Sequence, residues 1–146
     1  VFKGMRKKPE VMEKVFWKLG DQILKYMELV KEYGGDLISY ADSSGGVNIL
    51  GPKMMEAVTV NFTYPFLKKV EQLADDKTMI LLCPKTTLAL IGTEKAKFVD
   101  HQLEEPIGYA QACIHMIGKA HFAGQMCIKN VGYQLNHGIF KEVKLL

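Results

Sequence analysis

Cysteine is scarce in this chain. The 146 residues hold three, Cys83, Cys113 and Cys127, and no two of them form a CxxC pair. An odd set cannot pair completely, and no disulfide framework or compact zinc motif follows from the spacing. Reduced thiols and a cytoplasmic setting are the expectation. Long apolar runs are missing too: none approaches the ~18 residues that cross a bilayer, and no signal-peptide core is present. Neither sign of charge dominates, with 19 Lys and Arg against 16 Asp and Glu. The resulting +3 is too small to direct the chain to nucleic acid or a membrane surface. The basic stretch Lys3 to Lys8 reads as a solvated terminus. There is no low-complexity segment and no Pro/Gly-rich linker, so one domain is expected.

What is present is ordinary for a globular domain: 48% hydrophobic and 24% charged residues in a length that supports one core. From Pro9 to Tyr33 apolar residues recur at helical steps, with Met12, Phe16, Leu19, Ile23, Met27 and Val30 as the buried stripe. Pro9 suits the first turn and Gly34-Gly35 the stop. Trp17 reads as a packing residue. A second helix runs from Gly51-Pro52 to about Ala74, and Pro65 inside it predicts a kink or break near Tyr64. Asn61-Phe62-Thr63 matches a glycosylation sequon but lies within this helical pattern. Short apolar runs predict strands at 36–41, 78–82, 96–100 and 120–124. Between them lie a short helix over Thr86 to Ile91 and one starting at Pro106 with Ile107, Ala110, Ile114 and Ile117 inward. A last helix is expected after Gly138. The chain opens on Val1 and stops at Leu146 within that helical run, so both ends look cut.

Strand-then-helix order repeated about four times predicts an α/β fold with a parallel sheet, and such sheets place their sites beyond the carboxyl ends of the strands. At those ends stand Asp42, Cys83, Asp100-His101 and the Gln125 to Cys127 stretch. Cys83 is a candidate metal ligand, and it reads equally well as an inert thiol closing an apolar strand. Cys83, His101 and Cys127 form a Cys2His set whose chemistry suits zinc. His121 begins a strand and so lies at the opposite end, and His137 falls in a loop. Asp42 either contacts a substrate or braces the Ser-Ser-Gly-Gly loop that follows it. Asp100 carries the same alternatives. Gln125 offers an amide that both donates and accepts. Lys85 could neutralise a carboxylate or phosphate.

Taken in order, several segments resemble the uroporphyrinogen decarboxylase superfamily, which includes the heme-pathway decarboxylase and zinc-dependent methyltransferases that work with corrinoid proteins. Lys8-Pro9-Glu10-Val11 resembles the family's "PE" helix. Tyr40-Ala41-Asp42-Ser43-Ser44-Gly45-Gly46, followed by Leu50-Gly51-Pro52 and Tyr64-Pro65-Phe66, resembles its aspartate, glycine and "LSP…PY" stretch. Leu81-Leu82-Cys83-Pro84-Lys85-Thr86-Thr87 lines up with the methyltransferases' "HxCGN". Phe98-Val99-Asp100 and Phe122-Ala123-Gly124-Gln125-Met126 resemble two later strand ends, the second being "QGNxDP".

The resemblance implies a (β/α)8 barrel, which takes about 250 residues. This chain would supply roughly the C-terminal half, a partial domain over 1–146, completed by missing segments or by self-association. It implies Cys83 as one zinc ligand, with the family's histidine replaced by Leu81 and its other cysteine outside this chain, so no zinc is expected here. Asp42, Asp100 and Gln125 would line the substrate cavity. Methyl transfer between a corrinoid protein and a thiol or similar acceptor is the first activity implied, with a small-molecule substrate. Decarboxylation of a tetrapyrrole is the second. A non-catalytic barrel that has lost its zinc ligands is the third.

Overall fold

The computed structural model describes residues 2–42, 46–130, 132–135 and 137–146. Ser43, Ser44 and Gly45, part of the loop singled out after Asp42, lie outside the described residues. Helix α1 (Phe2–Lys7) leads into the long α2 (Pro9–Glu32), with Pro9 in its first turn. The amides of Gly34 and Gly35 bond back to the carbonyls of Lys31 and Val30, closing α2 with the pattern that terminates many helices. Strand β1 (Leu37–Tyr40) follows, then α3 (Val47–Leu50), α4 (Pro52–Val58) and α5 (Tyr64–Val70). Strand β2 (Met79–Leu82), α6 (Pro84–Gly92), β3 (Ala96–Gln102), α7 (Tyr109–His115), β4 (Phe122–Ala123) and β5 (Ile139–Leu145) complete the order.

All four expected strands form. Together with β5 they make a single mixed sheet in the order β1-β2-β4-β5-β3. The pairs β1–β2 and β2–β4 are parallel, while β5 is antiparallel to both β4 and β3. Consequently β1, β2, β3 and β4 share one direction and β5 alone opposes them. Two expectations are corrected here. The sheet is not purely parallel and its strands do not stand in sequence order, because β4 sits beside β2 and β3 lies at the far edge. The segment after Gly138 is a strand and not a helix. Phe140 and Val143, three apart as on one face of a helix, are buried on opposite faces of the sheet. A strand covered on both faces carries apolar residues at odd and even positions alike.

The strands separate two cores by the period of two that a pleated sheet imposes. Ile38, Ile80, Leu82, Phe122 and Val143 face α2, α5 and α6, where Met27, Phe66, Leu67, Val70 and Leu90 meet them. Met79, Leu81, Ala123 and Phe140 face α7, packed against Tyr109, Ala112, Cys113 and Met116. The α7 stripe thus differs from the expected one. Ile114 is exposed, because the helix starts at Tyr109 and turns Tyr109, Ala112, Cys113 and Met116 to the sheet, while Ile107 and Ile117 stay partly buried beside them.

A similar shift occurs in α2. The packed side is Met12, Phe16, Gly20, Leu24, Met27 and Val30, whereas Leu19 and Ile23 are exposed. Gly20 explains the choice: a Cβ there would lie 3.2 Å from Phe66 and 3.3 Å from Phe62, so its absence lets α2 approach that helix closely. Phe62 anchors the contact, stacked on Phe66 at 5.8 Å and touching Phe16 and Trp17. Trp17 packs as expected, and Lys69 Nζ sits 4.4 Å from its ring centre. At Pro65 the helix neither breaks nor ends. A π-helical turn over Thr59–Thr63 precedes it and joins α4 to α5, absorbing the missing proline donor by widening the hydrogen-bond ladder.

Strand β5 dominates the closure of this sheet, and Phe140 is fully buried within it. Phe140→Ala should lower unfolding free energy by about 3–5 kcal/mol in urea denaturation, the usual loss for emptying a phenylalanine site. A change below ~1 kcal/mol would mean that the 139–145 segment is not an interior strand.

Candidate functional site

The carboxyl ends of β1, β2 and β4 are neighbours, and each delivers one of the residues singled out from sequence. Tyr40 pairs with Leu82, and Leu81 with Ala123, so Ala41, Cys83 and Gln125 occupy the next row beyond the paired residues. Asp42 follows one residue later. Cys83 is half-buried at the position that caps α6, its amide bonded to the Tyr40 carbonyl and its carbonyl receiving the Thr87 amide. Strand β1 is thereby tied to β2 at the level of the thiol. Asp42 stands close enough to Tyr40 for its charge to act on that phenol. Burial first, and the Asp42 carboxylate second, hold the Tyr40 hydroxyl well above the usual phenol range.

Asp100 and His101 share the direction of this edge but not its place. Strand β3 is three strands from β2. At about 4.8 Å per strand that separates their rows by roughly 14 Å. Their side chains are engaged there: Lys141 Nζ donates to Asp100 at 2.8 Å, and His101 Nε2 lies 2.8 Å from Glu142 Oε2. The Gln125 amide is also committed, since its Oε1 accepts the Lys141 backbone amide at 3.0 Å. This bond continues the β4–β5 pairing past the end of β4. His121 lies at the opposite edge, as expected, with Nδ1 3.2 Å from Glu71. Cys127 is half-buried in the loop after β4, and Lys85 is exposed in the first turn of α6.

Leu81 does not stand at the edge as an open position awaiting a ligand. It is only 3% exposed and belongs to the core beneath α7. Among the described residues no three His, Cys, Asp or Glu side chains are close enough to share a metal ion. Of the zinc ligands that the resemblance implies, the described residues present Cys83 at this edge, where such sites hold three or four.

Three polar groups that sequence reading passed over lie near this edge or the core behind it. The hydroxyls of Thr86 and Thr87, in the first turn of α6, are buried without a hydrogen-bond partner, and that of Tyr109 is buried against the Cys113 thiol. Thr87 presses on Gly124, where a Cβ would lie 2.2 Å from its Oγ1, so a side chain at 124 would push α6 away from β4. The threonines were visible as a Thr-Thr pair after Cys83-Pro84-Lys85. Tyr109 had no signal beyond its helical spacing. Hollows lie elsewhere. One of about 490 Å³ opens between α1, α2 and the π turn, lined by Met5, Met12, Phe16, Val58, Asn61 and Phe62. Another of about 570 Å³ lies beside the carboxyl end of β3, with Asp100, His101, Glu104, Glu105, His115 and Lys119 around it.

Against family models, curated proteins and solved structures, the chain has no match. No helix among the described residues is long and apolar enough to cross a membrane.

Cys113 supplies a check on the core beneath this edge. Burial pushes its thiol from about 9 up to about 11, with the Tyr109 hydroxyl acting in the opposite direction. In the unfolded chain the thiol ionises first, so between those values the folded state binds more protons and stability falls as pH rises. Denaturation midpoints should drop across pH 9 to 11. Cys113→Ala, which removes the titrating group, should flatten part of that slope, and an unchanged slope would place the thiol in water.

Proposed function

We propose that the protein binds a small organic molecule over the carboxyl edge of β1, β2 and β4, as a relative of the uroporphyrinogen decarboxylase superfamily. One observation carries this reading. Three segments far apart in sequence, ending at Asp42, Cys83 and Gln125, are adjacent parallel strands, so their ends meet on one edge. That is where α/β proteins bind ligands. Half of a (β/α)8 barrel is the finer form of the proposal. It would require β3 beside β2, whereas β5 and β4 intervene, so only the binding edge is taken from the family here.

Cys83 favours a second reading, methyl transfer to a thiol with a corrinoid protein as partner, over tetrapyrrole decarboxylation, which needs no thiol. Against it stand Leu81 in the core and the engagement of Gln125 and Asp100 with Lys141. The geometry therefore supports ligand binding without the zinc-dependent step better than it supports catalysis.

Zinc stoichiometry and transfer from methylcob(III)alamin to a small thiol, measured for the chain and for Leu81→His, separate the two. Under the binding reading neither form retains stoichiometric zinc or transfers methyl groups. The substitution then costs about 2–4 kcal/mol of stability, because an imidazole replaces a buried isobutyl group without a partner. Zinc retention that rises in Leu81→His and falls when Cys83→Ser is added would establish the methyl-transfer reading instead. Binding itself is read from shifts of the Asp42, Cys83 and Thr86 amide resonances with a panel of small carboxylic acids and thiols. Shifts confined to residues away from this edge would overturn the proposed site.

A further inference from the structure

Helix α2 carries more apolar surface than the sheet can cover. At 100° per residue, the side packed on the sheet is centred about 120° away from a second apolar stripe, and the remaining sector holds the charges. That sector contains Glu10, Lys14, Lys18, Asp21, Lys25 and Glu28. The second stripe is exposed: Val15 by 41%, Leu19 by 54%, Tyr26 by 68%, Leu29 by 50% and the capping Tyr33 by 88%. A helix that only roofs one sheet needs one apolar face, and this helix has two.

The spacing of the second stripe identifies what fits it. Val15, Leu19, Gln22, Tyr26, Leu29 and Tyr33 follow one another at steps of four, three, four, three and four. This is the seam by which two helices coil around each other, with Gln22 as a single polar position of the kind that fixes register. With Val11 and Ile23 on its flanks, the stripe exposes seven large apolar side chains by 40% or more each, a continuous surface of the kind that a standard interface of roughly 800 Å² per partner buries. A seam of this type is self-complementary, so the same stripe on another molecule fills it.

We propose that α2 forms a parallel two-helix seam with a second copy of this chain. The charges choose the direction. In an antiparallel pairing Lys18 would face Lys25 of the second copy. In a parallel one the two lysines do not meet, and Lys18 lies along Ile23 of the second copy, covering apolar surface with its methylene stem. This self-association is independent of the ligand edge, because the seam is on α2 and the edge is formed by β1, β2 and β4.

Sedimentation equilibrium of the 146-residue chain tests it. A dimer is expected at about 100 µM protein. Leu19→Glu should raise the dissociation constant at least ~100-fold, since the seam contains the substitution twice. Leu19 is already solvated in the single chain, so circular dichroism and the melting curve of the dilute protein should not change. Val15→Cys, with Cys83 and Cys127 replaced by Ser, should form a covalent homodimer on mild oxidation, because a parallel seam sets residue 15 against residue 15. A wild-type monomer at that concentration would overturn the proposal. So would a dimer that Leu19→Glu leaves intact, or one in which Val15→Cys fails to cross-link to itself.

Discussion

The sheet depends on β5. It pairs with β3 through seven residues from Ile139 to Leu145, and with β4 through Ala123 and Glu142. In the strand order no other strand connects β3 to the parallel block β1-β2-β4. The short link on the β4 side is lengthened by a side chain, since Gln125 accepts the Lys141 amide where a further backbone carbonyl would otherwise do so. Lys141–Asp100 and Glu142–His101 then fasten the β3 side. Phe140 and Val143 are fully buried on opposite faces, so the same strand joins the two cores as well as the two halves of the sheet.

This arrangement divides the polar residues at the carboxyl edge into two kinds. Gln125, Asp100 and His101 hold β5 in place, and their chemistry is spent on backbone and on neighbouring charges. Asp42 and Cys83 lie on the other side of β4, where no strand runs against the parallel direction. The proposed ligand edge is therefore narrower than four strands would make it. It is centred on the β1–β2 boundary and the first turn of α6, with the buried Thr86 and Thr87 hydroxyls behind it.

Local signals were the legible part of the sequence. Pro9 and Gly34-Gly35 bounded α2 because they act through the backbone of their own turn. The run Met79 to Leu82 was readable as a doubly covered strand because all four residues are apolar. Strand order was not legible: nothing in Phe122 or Ala123 states which neighbour β4 will choose. The 139–145 segment is ambiguous in sequence because Phe140 and Val143 fit a helical period as well as two faces of a sheet, and only seven pairings with β3 decide between them. At the site, Asp42 and Cys83 were placed by the rule that parallel strands end together. The engagement of Gln125 was invisible, since it depends on a strand that was not foreseen. Likewise, the exposure of Leu19 and Ile23 followed from Gly20, a residue that sequence patterning counts as neutral.

The π turn at Thr59–Thr63 acts as a phase adjuster. Widening the ladder by one residue rotates everything after it by roughly 100° relative to an uninterrupted α-helix. Thr59 and Thr63 are buried inside the turn itself. Within it Phe62 faces α2, and beyond it Phe66, Leu67 and Val70 arrive facing the sheet. Closing the turn into α geometry at unchanged length would carry Phe66, Leu67 and Val70 off the core, whereas closing it together with the loss of one residue would leave them facing the sheet.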